Sequence, residues 1–411
     1  MRVNGIIAEY NPFHNGHKYH LESSRLRTGA DYTIVAMSGN FVQRGAPALV
    51  HKYARAQMAL QNGADLVLEI PSFYACGSAE YFAHGAVTML DRLGVVDNLC
   101  FGSECGQIDI LMKIGDILAK EPESFRKRLN TRLAQGHSFP TARSLALMEE
   151  CPSVNDALDV FTSPNNILGI EYIKSLIRRD SSIKPVTIKR AGAEYHEKRL
   201  CENNASALAL RQSIFSGQAL SSIKNHMPDN AFTILEHAFS QLQPMSTKDF
   251  SQLLLYKLLL EQAKGYEEYL DVNSDLSDKI RKMLYQYSDF DSFCDLLKSK
   301  NITHTRLSRC MMHILLNIYT DDIEQYKALD VVPYARVLGI KKDAAPLLSA
   351  IKQNSAIPMI SKLADAHKIL DEASLKMLEK DIQISHIYNA VEAAKNQSPI
   401  RNEYSTPIIV L

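Results

Sequence analysis

Two imidazoles stand three residues apart in His14-Asn15-Gly16-His17, immediately after the apolar run Gly5-Ile6-Ile7-Ala8 and the segment Glu9-Tyr10-Asn11-Pro12-Phe13. A helix begun near Gly16 sets both rings on one side of its first turn, beside free backbone N–H groups and the positive end of the helix dipole. That is a place for a nucleotide phosphate. Imidazole donors aimed at its oxygens would stabilise the charge that builds on an α-phosphate and a leaving pyrophosphate, and Gly16 removes the Cβ that would block close approach. No covalent intermediate is needed. An isolated H-x-x-H pair can also be an accident of surface or core, so the surrounding elements decide its meaning. His20 continues the face of His14 and His17, but no nearby Cys or carboxylate completes a metal triad, and no metal ligands are assigned.

A second candidate is Ser38-Gly39-Asn40-Phe41-Val42-Gln43-Arg44-Gly45, a polar loop in which Arg44 would orient a carboxylate or phosphate. His14, His17 and Arg44 are therefore the candidate catalytic residues. Lys52 follows closely and is either a further cation or a solvated lysine at a helix start. The elements that must position these groups can be read from periodicity. Short apolar runs at Val3 to Ala8, Tyr32 to Met37, Leu66 to Ile70 and Asn98 to Phe101 alternate with helical patterns such as Tyr53 to Asn62 and Ala79 to Leu93. The alternation predicts a doubly wound α/β domain with a parallel sheet, whose polar turns converge at the carboxyl ends of the strands. A helix from Asn165 to Arg178, a strand from Pro185 to Lys189 and a helix from Ser206 to Phe215 continue it, giving a first domain over 1–220. From about Ser222 the texture is mainly helical, as in Phe250 to Leu270 and Arg306 to Tyr319, so 221–411 is expected to form a second, mainly α-helical domain. A mixed tail from Val331 to Leu411 includes Tyr334 to Ile340 and ends in Pro407-Ile408-Ile409-Val410-Leu411, which would pair as a last strand or pack on a neighbour.

Lys plus Arg and Asp plus Glu both number 46 in the 411 residues, so no global charge draws the chain to a polyanion or a membrane surface. Any polyanion must meet local clusters: Arg178-Arg179, Lys189-Arg190, Arg281-Lys282, Lys298 to Lys300, Arg306 to Arg309 or Lys341-Lys342, each of which could equally be a solvated helix face. Lys298 to Arg309, with Asn301 and His304, is the first choice. Seven cysteines without a C-x-x-C pair argue for reduced thiols, against a disulfide framework or structural zinc. The N-terminus carries no apolar signal core and no run approaches the roughly 20 residues of a membrane helix, so a cytoplasmic protein without membrane contact is expected.

A strand, an Asn-Pro turn, H-x-G-H and a helix within the first twenty residues resemble the HIGH-motif nucleotidyltransferases, the superfamily of class I tRNA synthetases and small adenylyltransferases. The longer motifs Ala8 to His17, Met37 to Gly45 and Phe101-Gly102-Ser103-Glu104 are similar to those of the tRNA(Met) cytidine acetate ligase family. Pro164-Asn165-Asn166-Ile167-Leu168-Gly169, Ile188-Lys189-Arg190 and Tyr334-Ala335-Arg336-Val337-Leu338-Gly339 extend the likeness over essentially the whole chain. The resemblance implies condensation of acetate with ATP to acetyl-adenylate, then acetyl transfer to the wobble cytidine of elongator tRNA(Met). It implies that ATP, carrying Mg²⁺, is held by Ile7, Ala8, Glu9, Tyr10, Asn11, Pro12, Phe13, His14, Asn15, Gly16, His17, Lys18, Tyr19 and His20, with Gly102, Asn165 and Arg190; Asn165 and Asn166 are not separated by sequence. Ser206 to Arg211 loosely matches a late phosphate-binding signature of adenylyltransferases. A small-molecule adenylyltransferase is the alternative, disfavoured by the long helical half, and a scaffold with a dead site is disfavoured by the intact His14, Gly16 and His17.

Overall fold

The structure, a computed structural model, describes residues 1–151, 158–161, 163–190, 205–299 and 302–411. Because Val3–Ala8 (β1), Tyr32–Ser38 (β2) and Leu66–Ile70 (β5) are nearly unbroken apolar runs, they can be covered on both faces, as a parallel sheet requires. They pair in parallel in the order β5-β2-β1, with Ile6 opposite Val35 and Ala36 opposite Leu68. The chain then returns to the other side of β1 for Asn98–Ser103 (β6) and Lys184–Lys189 (β7), both parallel. Strand order thus reverses between β1 and β6, and it is outside the carboxyl ends of strands at such a switch that α/β sheets bind ligands.

Between β2 and β5, Phe41–Val42 (β3) and Ala46–Pro47 (β4) form a small antiparallel hairpin. The segment expected as a polar loop is thus anchored by Phe41 and Val42, both buried. Helices Asn15–Thr28, Lys52–Gln61, Ala79–Arg92 and Pro164–Arg178 fill the crossovers.

Residues beyond 220 are largely helical, with Asp229–Gln241, Ser251–Glu261, Ser274–Met283, Phe290–Leu297, His304–Leu316, Thr320–Ala328, Ala345–Asn354 and Glu372–Asn396 the main helices of this part among the described residues. The pattern read over Phe250 to Leu270 is helical only through Glu261, and that over Arg306 to Tyr319 ends where Asn317 takes a left-handed conformation. This region also adds strands to the sheet. Ala335–Ile340 (β8) runs antiparallel to β5, and Met359–Ile360 (β9) and Ile409–Val410 (β10) pair along its outer edge, so the final apolar run is a strand. One apolar cluster runs from Ile34 and Phe73 to Phe250, Met311 and Tyr388, so helices and sheet share a core.

Four charged side chains lie inside that junction. Lys52 Nζ sits 2.8 Å from Glu69 and 2.9 Å from Glu403, while Arg336 reaches Glu69 at 3.0 Å and also pairs with Glu403. All four are at most 2% exposed. Lys52 is therefore neither solvated nor a cation of the ligand site; it neutralises two carboxylates contributed by β5 and the C-terminal tail.

Candidate active site

At the switch point, the ends of β1, β6 and β7 open into a cavity. Ile7, Ala8, Glu9, Tyr10 and Asn11 line it from β1, Phe101 and Gly102 from β6, and Ile188, Lys189 and Arg190 from β7. His14, Gly16, His17, Tyr19 and His20 close one side, and Gln43 and Arg44 reach in from the hairpin. The fourteen consecutive positions from Ile7 to His20 do not behave alike: Pro12 and Phe13 are buried and outside the cavity lining, while Asn15 and Lys18 turn away, Asn15 to the Asn225 carbonyl at 2.9 Å and Lys18 to Glu22 at 3.9 Å.

The histidine turn has a defined hydrogen-bond logic. His14 is the N-cap rather than a first-turn residue, and its Nδ1 accepts the Gly16 N–H at 3.0 Å. His17 Nδ1 accepts the His14 N–H at 3.2 Å. With both Nδ1 atoms acting as acceptors, the neutral rings carry their protons on Nε2, making each a donor on the side opposite the cap. The rings stack with centroids 3.7 Å apart, so charging both would be costly. Burial, then Arg190 and Arg211, push His14 down to about 3; burial and then His14 and Arg190 lower His17; burial and Arg190 bring His20 to about 4. All three are neutral donors at neutral pH. Gly16 has a use that sequence did not show: a Cβ there would lie 2.9 Å from His14 Cε1, so glycine clears the capping ring. Nor are all the first N–H groups free, since Gly16 N–H is taken by His14.

Charge in the cavity contrasts with the neutral chain. Arg44, Lys189, Arg190 and Arg211 line it against one carboxylate, Glu9, among the described residues. Glu9 Oε1 accepts the Gln43 N–H at 2.9 Å, which draws the Arg44 hairpin towards β1. Arg211 donates to the Asn11 carbonyl at 2.6 Å, and Asn11 Oδ1 accepts the Leu49 N–H at 2.7 Å. Ser206 caps its helix, accepting the Ala209 N–H at 3.2 Å. Asn165 and Asn166 separate cleanly in geometry: Asn165 lines the cavity, whereas buried Asn166 accepts from Glu104 N–H at 2.9 Å and Cys105 N–H at 3.2 Å, shaping the turn after β6. Among the described residues no group of three His, Cys, Asp or Glu is arranged to hold a metal ion.

Local motif reading missed Arg55, Phe82 and Tyr172. Arg55 is fully buried and donates to the carbonyls of Glu9 at 2.6 Å, Ser38 at 3.1 Å and Gly39, tying together the ends of β1 and β2. Tyr172 follows Asn165 and Leu168 on one helical face, a 3–4 spacing that could have extended the motif.

In the basic segment chosen for polyanion contact, the described arginines make local contacts. Lys300 and Asn301 lie outside the described residues. Arg309 faces Asp271 at 3.8 Å, Arg306 donates to the Asp271 carbonyl at 3.5 Å, and Ser308 Oγ donates to the Gly45 carbonyl at 2.7 Å. This helix therefore braces the Arg44 hairpin. Of the other clusters, Arg178 pairs with Glu121 at 3.1 Å, Arg179 with Asp91 at 3.0 Å and Lys341 with Asp65 at 3.4 Å.

With this geometry in place, comparison with known proteins decides the family. The family profile described as HIGH Nucleotidyl Transferase matches residues 1–403. A tRNA(Met) cytidine acetate ligase of Thermoanaerobacter sp. (strain X514) is 42% identical over 412 residues, covering 100% of both chains. The chain belongs to the tRNA(Met) cytidine acetate ligase family. It is thereby a ligase built on a nucleotidyltransferase fold. A relative of the same name from Halothermothrix orenii is also 42% identical, with coverage of 100% of this chain and 99% of that one. Among solved structures, apo Thermotoga maritima TmcAL superposes with a TM-score of 0.94 at 31% identity, covering 100% of both chains. The same protein bound with alpha-thio ATP gives 0.92 at 30% identity, again over 100% of both chains. No helix among the described residues is long and apolar enough to cross a membrane.

Proposed function

We propose that this cavity binds ATP and acetate and makes acetyl-adenylate, and that the acetyl group then passes to the N4 amine of the wobble cytidine of elongator tRNA(Met). An acetate oxygen attacks the α-phosphorus, the bond to pyrophosphate breaks, and the mixed anhydride forms. The cytidine amine then attacks the acetyl carbonyl, AMP leaves with the bonding electron pair, and the amine loses a proton to give N4-acetylcytidine. The observation that carries the reading is the pairing of neutral Nε2 donors on His14 and His17 with four cations at the sheet's switch point, inside a chain of zero net charge. Such donors, fixed before the reaction, act on charge that grows in the transition state. Arg44 has the fork to orient acetate or a phosphate, Arg190 and Lys189 would hold the triphosphate, and Gly102 and Asn165 would meet the nucleoside.

The relative that carries alpha-thio ATP supports the nucleotide, and the names of the relatives support the acid and the tRNA. Mg²⁺ has no carboxylate cage among the described residues and would enter with the triphosphate; excess EDTA should abolish pyrophosphate release. The region 1–220 would hold the nucleotide chemistry and 221–411 would help seat the tRNA, in the cytoplasm where that substrate resides. A small-molecule adenylyltransferase is not favoured by the full-length match to the ligases. The deciding assay incubates the protein with ATP, labelled acetate and total tRNA, then digests the RNA. Labelled acetylcytidine is expected; its absence beside active pyrophosphate exchange would reject the acetyl-transfer reading.

A further inference from the structure

The helix Ser251–Glu261 buries Leu254 and Leu258 in the core, yet its outer face is also apolar. Leu253 is 41% exposed, Tyr256 64%, Leu259 48% and Leu260 62%, and the 82%-exposed Tyr285 joins them through a 3.5 Å contact with Gln262. Other exposed large apolar residues, such as Leu26, Phe139 and Ile369, stand on separate elements. At roughly 150–250 Å² for a whole aromatic side chain and less for leucine, this stripe presents on the order of 500 Å². That is at the scale of the largest patches monomers expose, roughly 300–600 Å².

We propose that this face is the contact through which two copies of the chain associate about a two-fold axis. The spacing of Leu253, Tyr256 and Leu260 is three and then four residues, the seam spacing of paired helices. An antiparallel arrangement centred beside Tyr256 sets Leu253 of one copy against Leu260 of the other and Tyr256 near its own counterpart, so the stripe is self-complementary. The stripe alone supplies more than half of the ~800 Å² per partner of an ordinary stable interface. Charge does not oppose the meeting. Along the helix, Lys257 pairs with Glu261 at 2.5 Å and, beyond its end, Lys264 with Glu268 at 2.6 Å, so charge balances there, while the exposed Arg281 and Lys282 precede Tyr285 on the neighbouring helix. The exposed helix positions Leu253, Tyr256, Leu259 and Leu260 are all apolar, which favours a protein face over a nucleic acid or an anionic lipid surface, both of which require a cluster of cations.

The test is sedimentation or light scattering of the full chain, up to roughly 100 µM, where an association of micromolar affinity is saturated. Wild type should show twice the mass of one chain. The exposed-face variant Tyr256→Glu with Leu260→Glu should weaken association by roughly 100-fold, since central interface side chains carry about tenfold or more each, while its melting curve stays that of wild type. Should that pair fail to fold, Leu253→Gln with Tyr285→Ser probes the same face with neutral residues. A monomeric wild type, or a dimer that folded variants leave intact, overturns the proposal. So does a monomer whose binding to tRNA or to phosphatidylglycerol vesicles falls in the variants.

Discussion

Replacing His17 by alanine removes two separable things. One is the acceptor for the His14 N–H at 3.2 Å, the reciprocal half of a capping box; losing a cap of this kind costs about 0.5–2 kcal/mol of stability. The other is the Nε2–H donor, fixed in that tautomer because Nδ1 is already an acceptor. If the donor acts on charge that appears in the transition state, its loss costs about 10² to 10³ in rate, or about 2.7–4 kcal/mol. A third-position glutamate is the usual partner in a capping box, so His17→Glu restores the cap but offers no donor. The expected pattern is a lowered melting temperature for His17→Ala, recovery for His17→Glu, and acetate-dependent pyrophosphate release down by at least about 100-fold in both. A folded His17→Ala enzyme within a few-fold of wild type would refute the assigned role.

Gly16→Ala should lower pyrophosphate release by about tenfold or more through displacement of the His14 ring, 2.9 Å from the new Cβ, while alanine's helix propensity offsets stability by up to about 1 kcal/mol; an unchanged rate would refute the steric account. Lys52→Met leaves Glu69 and Glu403 sharing Arg336 and should destabilise by about 3–5 kcal/mol, read as a lowered urea midpoint. Burial chiefly, with Arg401 and Arg55, holds His51 down at about 3, so the unfolded chain binds more protons between about 6.5 and 3. Its contribution is complete above about pH 6.5 and falls as pH drops through that window, by up to about 1.4 kcal/mol per unit. His51→Asn keeps a cap acceptor for Ala54 N–H and should flatten the dependence of the urea midpoint between pH 7 and 5, whereas an equal slope would exclude this histidine as a source.

What could be read from sequence was what is local. Strand β1, its turn and the helix after it lie within thirty residues, so periodicity and turn chemistry alone expose the histidine pair and its position beside a sheet. Lys52 shows the opposite case: its partners lie 17 and 351 residues away, and only the paired strands and the returning tail reveal that it is enclosed. Arg55 is similar, because a charge between Ala54 and Ala56 looks exposed until three backbone carbonyls converge on it. The place of β8 was equally hidden, since a short apolar run in a mixed tail does not tell which strand it joins or whether it runs with that neighbour or against it.

The two halves of the chain meet at the Arg44 hairpin, and this changes what a mutation in the helical half can mean. Gly45 has φ +72° and stands so close to the next helix that a Cβ would fall 2.3 Å from the Arg309 nitrogen. Ser308 bonds the Gly45 carbonyl from that side, while Glu9 holds the Gln43 N–H from the other. Arg44 is thus positioned jointly by the end of β1 and by the helix His304–Leu316. Neutralising Arg309, which faces Asp271, disturbs the support of a cavity residue as well as any charge it offers to RNA. A loss of tRNA modification in such a variant therefore says nothing about tRNA contact unless the tRNA-independent half-reaction is measured beside it. The exposed cations away from this hairpin, Arg281 and Lys282, are the sounder place to look for phosphate contacts: among the described residues Arg281 makes a loose 3.7 Å ion pair with Asp278 on its own helix, and exchanging that partner for a phosphate costs the fold little.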